Sequence, residues 1–246
     1  MPTFRHGKNT IVFVSKYDVS EYFNSSTTTN EVDTPETTTF GSTARSYITG
    51  QKTGMVSFEG LWEGTVVGVT NTIDVAFGDG LAGAESIITV GSEGAGIGRR
   101  AKLLLANETS YEITGAIADV VSITAEAEAT GGLDGGVLLA AQQAVTATVA
   151  NASVDNAASS ANGGVAHLHV TTNTRDGAVT VKVQHSANNS TWADLVTFTN
   201  TTAATTTSQR VEVAAGTTVN RYLRANVTGF AGSTGSVTIT VGFARR

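Results

Sequence analysis

The 246-residue sequence has no cysteine, two prolines, and charged side chains at only 15% of positions. Each scarcity excludes something. Without cysteine there are neither disulfides nor thiolate metal ligands. With two prolines against 27 glycines, turns must rest on glycine, while abundant Thr and Val favour strands. No apolar run approaches the ~18 residues of a membrane helix, and Met1–Asn9 is polar and basic without an apolar core, so neither a membrane span nor a signal peptide is expected. Charge falls short of the ~25% usual in globular domains. Thr, Ser, Asn, Ala and Gly take its place, giving a neutral, hydroxyl-rich surface suited to packing against copies of itself.

The charge that is present is uneven. Residues 1–146 hold 8 Lys/Arg against 17 Asp/Glu, a net of −9, and residues 147–246 hold 7 against 4, a net of +3, which together give the formal −6. An acidic N-terminal region is ill suited to gripping a phosphate backbone. It is well suited to letting one pass, because attractive Lys/Arg contacts would stall a moving strand.

Patterning predicts a mainly β chain in two units, residues 1–146 and 147–246, each of a size that buries its own core. In the N-terminal unit, Thr10–Ser15 reads as a strand, and Asp18 or Ser20 caps a turn that tucks in Tyr22 and Phe23. Ser25–Asn30 is a polar tract, either a loop or an exposed strand. Met55–Trp62 alternates, with Val56, Phe58 and Trp62 on the apolar side. Thr70 or Asn71 caps one short flanking helix carrying Ile73, Phe77 and Leu81 at spacings of four. Ser86–Val90 is a strand, Ala101–Thr114 reads as a hairpin about Ala106-Asn107-Glu108, and Asp119–Thr130 alternates apolar with acidic or hydroxylic residues. Gly131–Gly136 is the clearest internal break. In the C-terminal unit six strands follow at regular spacing, at 167–171, 178–186, 193–199, 209–213, 222–227 and 236–243. With no helical pattern between them they predict a β-sandwich or jelly roll.

Catalytic chemistry finds little support. His167 and His169 share one strand face and, with His185, imitate a metal cluster, but Leu168 and Val170 alternate with them and no acid stands beside them to fix a tautomer. Gly91–Gly98 followed by Arg99-Arg100 lacks the Lys-Ser/Thr ending and helix of a phosphate loop. It reads as a hairpin loop whose two arginines are available to acids of a neighbouring subunit. Glu126 and Glu128 are spaced like paired carboxylates, yet alternating exposed acids are the commoner case. No nucleophile–base motif is present. The chain is expected not to be an enzyme and to need no cofactor or metal.

The stretch Thr34–Gly60 stands apart. The pieces Phe4–Thr10, Tyr17–Ser20 with Tyr22-Phe23, Glu36–Gly41 (ETTTFG), Ala44–Gly50 and Val56–Gly60 occur in an order that resembles the tail tube, or major tail, proteins of long-tailed bacteriophages. That resemblance covers Met1 to about Thr130. It implies a β-barrel or sandwich with one flanking helix, assembling into stacked rings whose inner strands join into a continuous lumen wall. On that reading Thr37, Thr38, Thr39, Phe40, Arg45 and Tyr47, together with Arg99 and Arg100, serve subunit interfaces, while Glu126 and Glu128 face the lumen. The implied partners are further copies of the chain, a tape measure protein, tail terminator and tip proteins, and DNA in transit without sequence-specific binding. The implied location is the virion tail, assembled in the host cytoplasm.

The C-terminal unit resembles a discoidin or galactose-binding-like jelly roll, or an Ig-like β-domain, through Val183–Ser186, Ser190–Leu195 and Arg221–Arg224. This implies an outward-facing β-domain, and leaves as an alternative a virion decoration or receptor-binding protein that holds carbohydrate. Trp192 and Tyr222 are expected between the sheets, where large aromatics of a sandwich usually lie.

Overall fold

The computed structural model describes residues 6–63, 73–78 and 83–246. It is mainly β, with sixteen strands in two sheets among the described residues. The N-terminal half holds β1 (Ile11–Val14), β2 (Tyr17–Asp18), β3 (Phe23–Val32), β4 (Lys52–Leu61), β5 (Ser86–Gly91), β6 (Arg100–Thr114) and β7 (Ser122–Ala129), followed by β8 (Asp134–Val145). Then come β9 (Val149–Ala150), β10 (Val154–Asp155), β11 (Gly164–Asn173), β12 (Val179–Ser186), β13 (Ala193–Thr197), β14 (Thr207–Val213), β15 (Tyr222–Phe230) and β16 (Val237–Arg245). The Ser25–Asn30 tract is the middle of β3.

β6 organises the N-terminal half, and it corrects the expected hairpin. Instead of turning at Ala106-Asn107-Glu108, it runs for fifteen residues. β5 pairs along Lys102–Ala106, and on the opposite edge β7 pairs along Ala106–Thr114 and β8 along Arg100–Leu103. The residues that read as a turn are held flat by Ala127 and Ala129 across the ladder, and the irregularity shrinks to a register shift between Glu108 and Ser110. The chain turns instead at residues 115–121, between β6 and β7, and β7 passes to β8 through Gly131 (φ 80°) and Gly132 (φ 89°), in the left-handed region open to glycine.

One core fills the hollow of this curved sheet. Val12, Val14, Val56, Phe58, Ile88, Leu104 and Ile123 point into it, and Phe77 enters from a single π-helical turn, Asp74–Gly78, with Ile73 just before it. Phe58 packs between Phe23, at 4.8 Å, and Phe77, at 5.8 Å. The Asp74 carboxylate fastens the turn to the sheet by accepting the Tyr111 hydroxyl at 2.5 Å and the Trp62 indole N–H at 3.1 Å. The apolar spacing of the flanking helix thus holds for Ile73 and Phe77, whereas its caps at Thr70 or Asn71 and its third member, Leu81, lie outside the described residues.

In the C-terminal half two sheets face each other, with the orders β8-β16-β11-β14 and β10-β15-β12-β13, and β9 also on β15. With β9 and β10 counted as one interrupted strand, this is the jelly-roll permutation of eight strands. Its core is Leu139, Leu168, Val181, Val183, Phe198, Leu223, Ile239 and Val241 with their neighbours. β8 serves both halves, pairing β6 through Asp134–Val137 and β16 through Gly136–Val145. Residue 146, where the sequence divides into its two expected units, follows directly on the end of this shared strand. A third cluster fills the junction: Ile11, Phe13 and Leu103 lie on the other face of β1 and β6 and meet Leu138, Val165 and Ala244. The β1–β5–β6 layer is therefore apolar on both faces.

Candidate assembly surface

Between β3 and β4 the chain leaves the body as an arm. Every residue from Asp33 to Thr49 is exposed, yet the arm is built from its own hydrogen bonds. Gly50 N–H donates to Asp33 C=O at 2.6 Å, Ile48 N–H to Pro35 C=O at 3.1 Å, and Thr37 N–H to Ser46 C=O at 2.8 Å. Hydroxyls extend the ladder: Thr37 Oγ1 meets Ser46 Oγ at 3.1 Å, and Ser46 N–H donates to Thr38 Oγ1 at 3.1 Å. Gly50 permits the closure, since a Cβ there would sit 2.8 Å from that of Asp33. The tip turns at Gly41 (φ 92°), beside Phe40, which is 110% exposed. Tyr47 and Ile48 are also bare, at 53% and 56%. Arg45 reaches only its own Glu36, at 4.0 Å, with its side chain 74% exposed, an arrangement worth little in water. A self-bonded arm that displays its largest apolar groups has the composition of a contact surface.

Below the arm, β3, β4, β7 and β6 form a four-stranded antiparallel sheet. Its inner face carries the core. Its outer face pairs Thr27 with Ser57, Ser57 with Glu126, Met55 with Glu128, and Glu59 with Thr124, while Thr124 also faces Glu112. Glu31, Glu59, Glu112, Glu126 and Glu128 thus share one face with hydroxyls. Among the described residues no Lys or Arg stands on it, and none occurs in the sequence between Lys102 and Arg175. Glu126 is half-buried and accepts the Ser110 hydroxyl at 3.3 Å, whereas Glu128 is exposed.

Both edges of this sheet are open. Among the described residues β3 pairs only with β4, and the stretch Asn107–Thr114 of β6 pairs only with β7. Alternation of direction over four strands makes the two edges antiparallel to each other. Long uncovered edges invite pairing by another chain.

Arg99 and Arg100 sit at the opposite end of β6 from the β6–β7 turn, on the rim of the Gly91–Gly98 loop, with Arg99 half-buried and Arg100 exposed. They do not join the arm. Among the described residues neither forms a salt bridge within the chain.

The histidines resolve differently from a metal cluster. His167 and His169 are fully buried at the junction, and Thr89 Oγ1 lies 3.0 Å from His167 Nδ1 and 2.8 Å from His169 Nε2. His169 Nδ1 donates to the Ser15 carbonyl at 2.6 Å, so its Nε2 accepts from Thr89. Phe13 stacks on the His169 ring at 5.3 Å. Burial first, then proximity to His169 and Arg210, drives the His167 pKa well below its usual value; burial likewise lowers His169 to about 4. His185 stands elsewhere, accepting the Asn220 N–H at 3.2 Å. These are neutral histidines cementing two layers. Thr89, which joins them, carried no signal in the sequence.

Trp192 and Tyr222 correct the expectation of core packing. Both are half-buried on the outer side of the β15-β12-β13 sheet, where Leu223, Val181 and Val183 take the interior. The Arg224 guanidinium lies 4.1 Å from the Trp192 ring centre and donates twice to Gln184 Oε1, at 3.0 and 2.8 Å. Gln184 in turn donates to Asp194 at 2.8 Å, which also accepts Lys182 at 2.6 Å. The aromatics face out because β12 and β15 spend their inward positions on Val, Ala and Leu.

No protein-family model matches the sequence, and no curated protein does. Among solved structures the chain is similar to a protein of the native gene transfer agent virion (15% identity over 53% of this chain and 97% of that one, TM-score 0.42). It is also similar to the Dit protein of phage SPP1, described as a hub adsorption apparatus (11% identity, 95% and 98%, TM-score 0.37), and to infectious bursal disease virus (11%, 98% and 58%, TM-score 0.28). At these scores the likenesses carry no argument about function.

Proposed function

We propose that the chain is a structural, non-enzymatic subunit of a bacteriophage virion tail, and specifically the subunit that forms the tail tube. The carrying observation is the β3-β4-β7-β6 sheet: four strands, two open edges of opposite direction, and an outer face with five glutamates and, among the described residues, no cation. Setting the β3 edge of one copy beside the Asn107–Thr114 edge of the next continues an antiparallel sheet, and repetition of that heterologous contact by a rotation closes a ring. The acidic, hydroxylic face becomes the inner wall, with Glu126 and Glu128 towards the lumen. That wall repels phosphate weakly and lets DNA, and before it a tape measure protein, occupy the channel without being gripped. Rings then stack through the 33–51 arm, where Thr37, Thr38, Thr39, Phe40, Arg45 and Tyr47 form the contact, while Arg99 and Arg100 meet acids of a neighbour. Terminator and tip proteins cap the stack, which assembles in the host cytoplasm. The jelly roll, from about residue 147 together with the shared strand β8, faces outward.

Purified protein viewed by electron microscopy tests this: rings or short tubes are expected at high concentration. A chain that stays monomeric there, even when offered tail-initiating partners, contradicts the proposal.

One observation favours a second reading. The Trp192–Arg224–Gln184–Asp194 array on the open jelly-roll face combines an aromatic with fixed polar groups, the composition of a saccharide site. In that reading the protein decorates the virion and binds carbohydrate. A glycan array with the intact protein and with Trp192→Ala separates the two: Trp192-dependent retention on glycans without any ring formation favours decoration.

A further inference from the structure

The arm has a matching acceptor at the far end of its own sheet. β3 and β4 open into the arm at Val32 and Lys52, which lie beside the Ala129 end of β7; β6 and β7 close at the other end, beyond Thr114 and Ser122. That second tip, residues 115–121, is as bare as the first. Ile117 is 111% exposed, Val120 61%, and Ile113 and Leu61, at its base, 46% and 49%. The tip is nonetheless ordered: Asp119 N–H donates to Ala116 C=O at 3.2 Å, and Asp119 Oδ1 accepts the Val120 N–H at 2.8 Å.

The two ends also differ in charge. The arm carries Arg45, held only weakly by Glu36 and 74% exposed, together with Asp33, and at its base Lys52 stands beside Glu31. The tip end carries Glu112 and Asp119, with Glu59 and Glu63 nearby and, among the described residues, no Lys or Arg. The exposed Arg45 guanidinium and bare apolar groups at one end cannot reach the acids and bare apolar groups at the other within one chain because the sheet holds them apart. They satisfy each other when copies are set head to tail along the strand direction.

We propose that Phe40, Tyr47 and Ile48 of one copy dock on Ile113, Ile117 and Val120 of the next copy along the strand axis, with Arg45 against Asp119 or Glu112. The partner is a second copy of this chain. The contact is heterologous, so it propagates without limit and sets the polarity of the stack. It deepens the tube reading by naming the acceptor, and it rests on that reading only for the statement that the stack is a tail.

Because the chain has no cysteine, crosslinking gives a test independent of whether long tubes form. Phe40→Cys and Ile117→Cys are both fully exposed sites, so folding is unaffected. Mixed under mild oxidation, the two single variants should form a mixed disulfide dimer roughly tenfold faster than either forms a homodimer, as a docked contact raises the effective concentration. The double variant should form a ladder of covalent multimers. Faster Phe40→Cys homodimers would show an arm-to-arm contact and overturn the proposal, as would equal rates for all three pairings. A charge exchange adds a second readout: Arg45→Glu in the Phe40→Cys chain should abolish the mixed crosslink, and Asp119→Arg in the Ile117→Cys chain should restore it. Mixed crosslinks in a protein that forms no rings would retain the arm–tip contact and remove the tube. Rings without mixed crosslinks would do the reverse.

Discussion

Acidification should pull this protein in two directions at once, and two substitutions separate them. His169 is held at about 4 against its ordinary 6.5 by burial. A depressed base contributes stability that is fully present above pH 6.5 and is lost as pH falls through 4. At 1.36 kcal/mol per pKa unit the loss is about 3 kcal/mol. His167 acts in the same direction. Glu108 does the opposite. It is 8% exposed beneath the β6 irregularity, with Oε1 accepting the Ser86 hydroxyl at 2.8 Å and Oε2 unpartnered. Burial raises it from 4.5 to about 7, and the Ser86 bond pulls the other way. A raised acid contributes stability that is fully present below pH 4.5 and is lost as pH rises through 7, again at most about 3 kcal/mol. Urea denaturation at pH 7.5, 6, 5 and 4 should therefore show a net loss of stability on acidification for the native chain, because two depressed histidines outweigh one raised carboxyl. Glu108→Gln should deepen that loss by up to about 3 kcal/mol, and His169→Gln should reduce it by about as much. A Glu108→Gln protein whose stability does not change between pH 7.5 and 4 would refute the assignment of a buried, neutral histidine pair at the junction.

Phe40→Ala with Arg45→Glu should leave the urea midpoint within about 0.5 kcal/mol of wild type, as expected of surface positions, while removing assembly in sedimentation; unfolding instead would make the arm a piece of the core. Glu126→Lys with Glu128→Lys should leave rings intact but make assembled particles retain duplex DNA in a salt-dependent manner, which the parent does not; DNA retention unchanged from wild type would move that face out of the lumen. Arg175, 5% exposed, donates to the carbonyls of Ala231, Gly232 and Thr234 and lies over the Phe230 ring, so Arg175→Ala should cost about 3 kcal/mol in urea denaturation. Gly60→Ala should be worse tolerated than Gly41→Ala, since a Cβ at Gly60 falls 2.1 Å from the Tyr22 carbonyl while at Gly41 it meets nothing; expression yield and melting temperature decide between them.

Much of the fold was legible where a residue's neighbours in sequence are also its determinants. Alternation placed Val56 and Phe58 inside and Glu126 and Glu128 outside, and bare Phe40 and Tyr47 in a run of hydroxyls marked the arm. The strands of the jelly roll from β11 to β16 are evenly spaced and separated by turn residues, so their class and six of the eight strands followed, while β8 and the interrupted β9–β10 did not. The errors have a common cause in pairing across long sequence distances. Ala106-Asn107-Glu108 is locally a good turn and is kept extended by β7. Trp192, just before β13, looked like a core aromatic because the local sequence says nothing about which face is already filled by Val181, Val183 and Leu223. The His167–Thr89–His169 arrangement joins residues 78 and 80 positions apart, and no local pattern signals it. The open edges of β3 and β6 are also invisible in sequence, because an unpaired edge is a property of the sheet.

A tube of this chain requires that the glutamate-bearing face of the four-stranded sheet line the channel. A cryo-electron microscopy map of the assembled protein, with the chain traced, tests that most directly. It should show a tube in which β3 of each copy pairs antiparallel with Asn107–Thr114 of its neighbour and Glu31, Glu59, Glu112, Glu126 and Glu128 point into the lumen. A map in which those glutamates face outward, or in which copies join through the jelly rolls and leave both sheet edges bare, would contradict it.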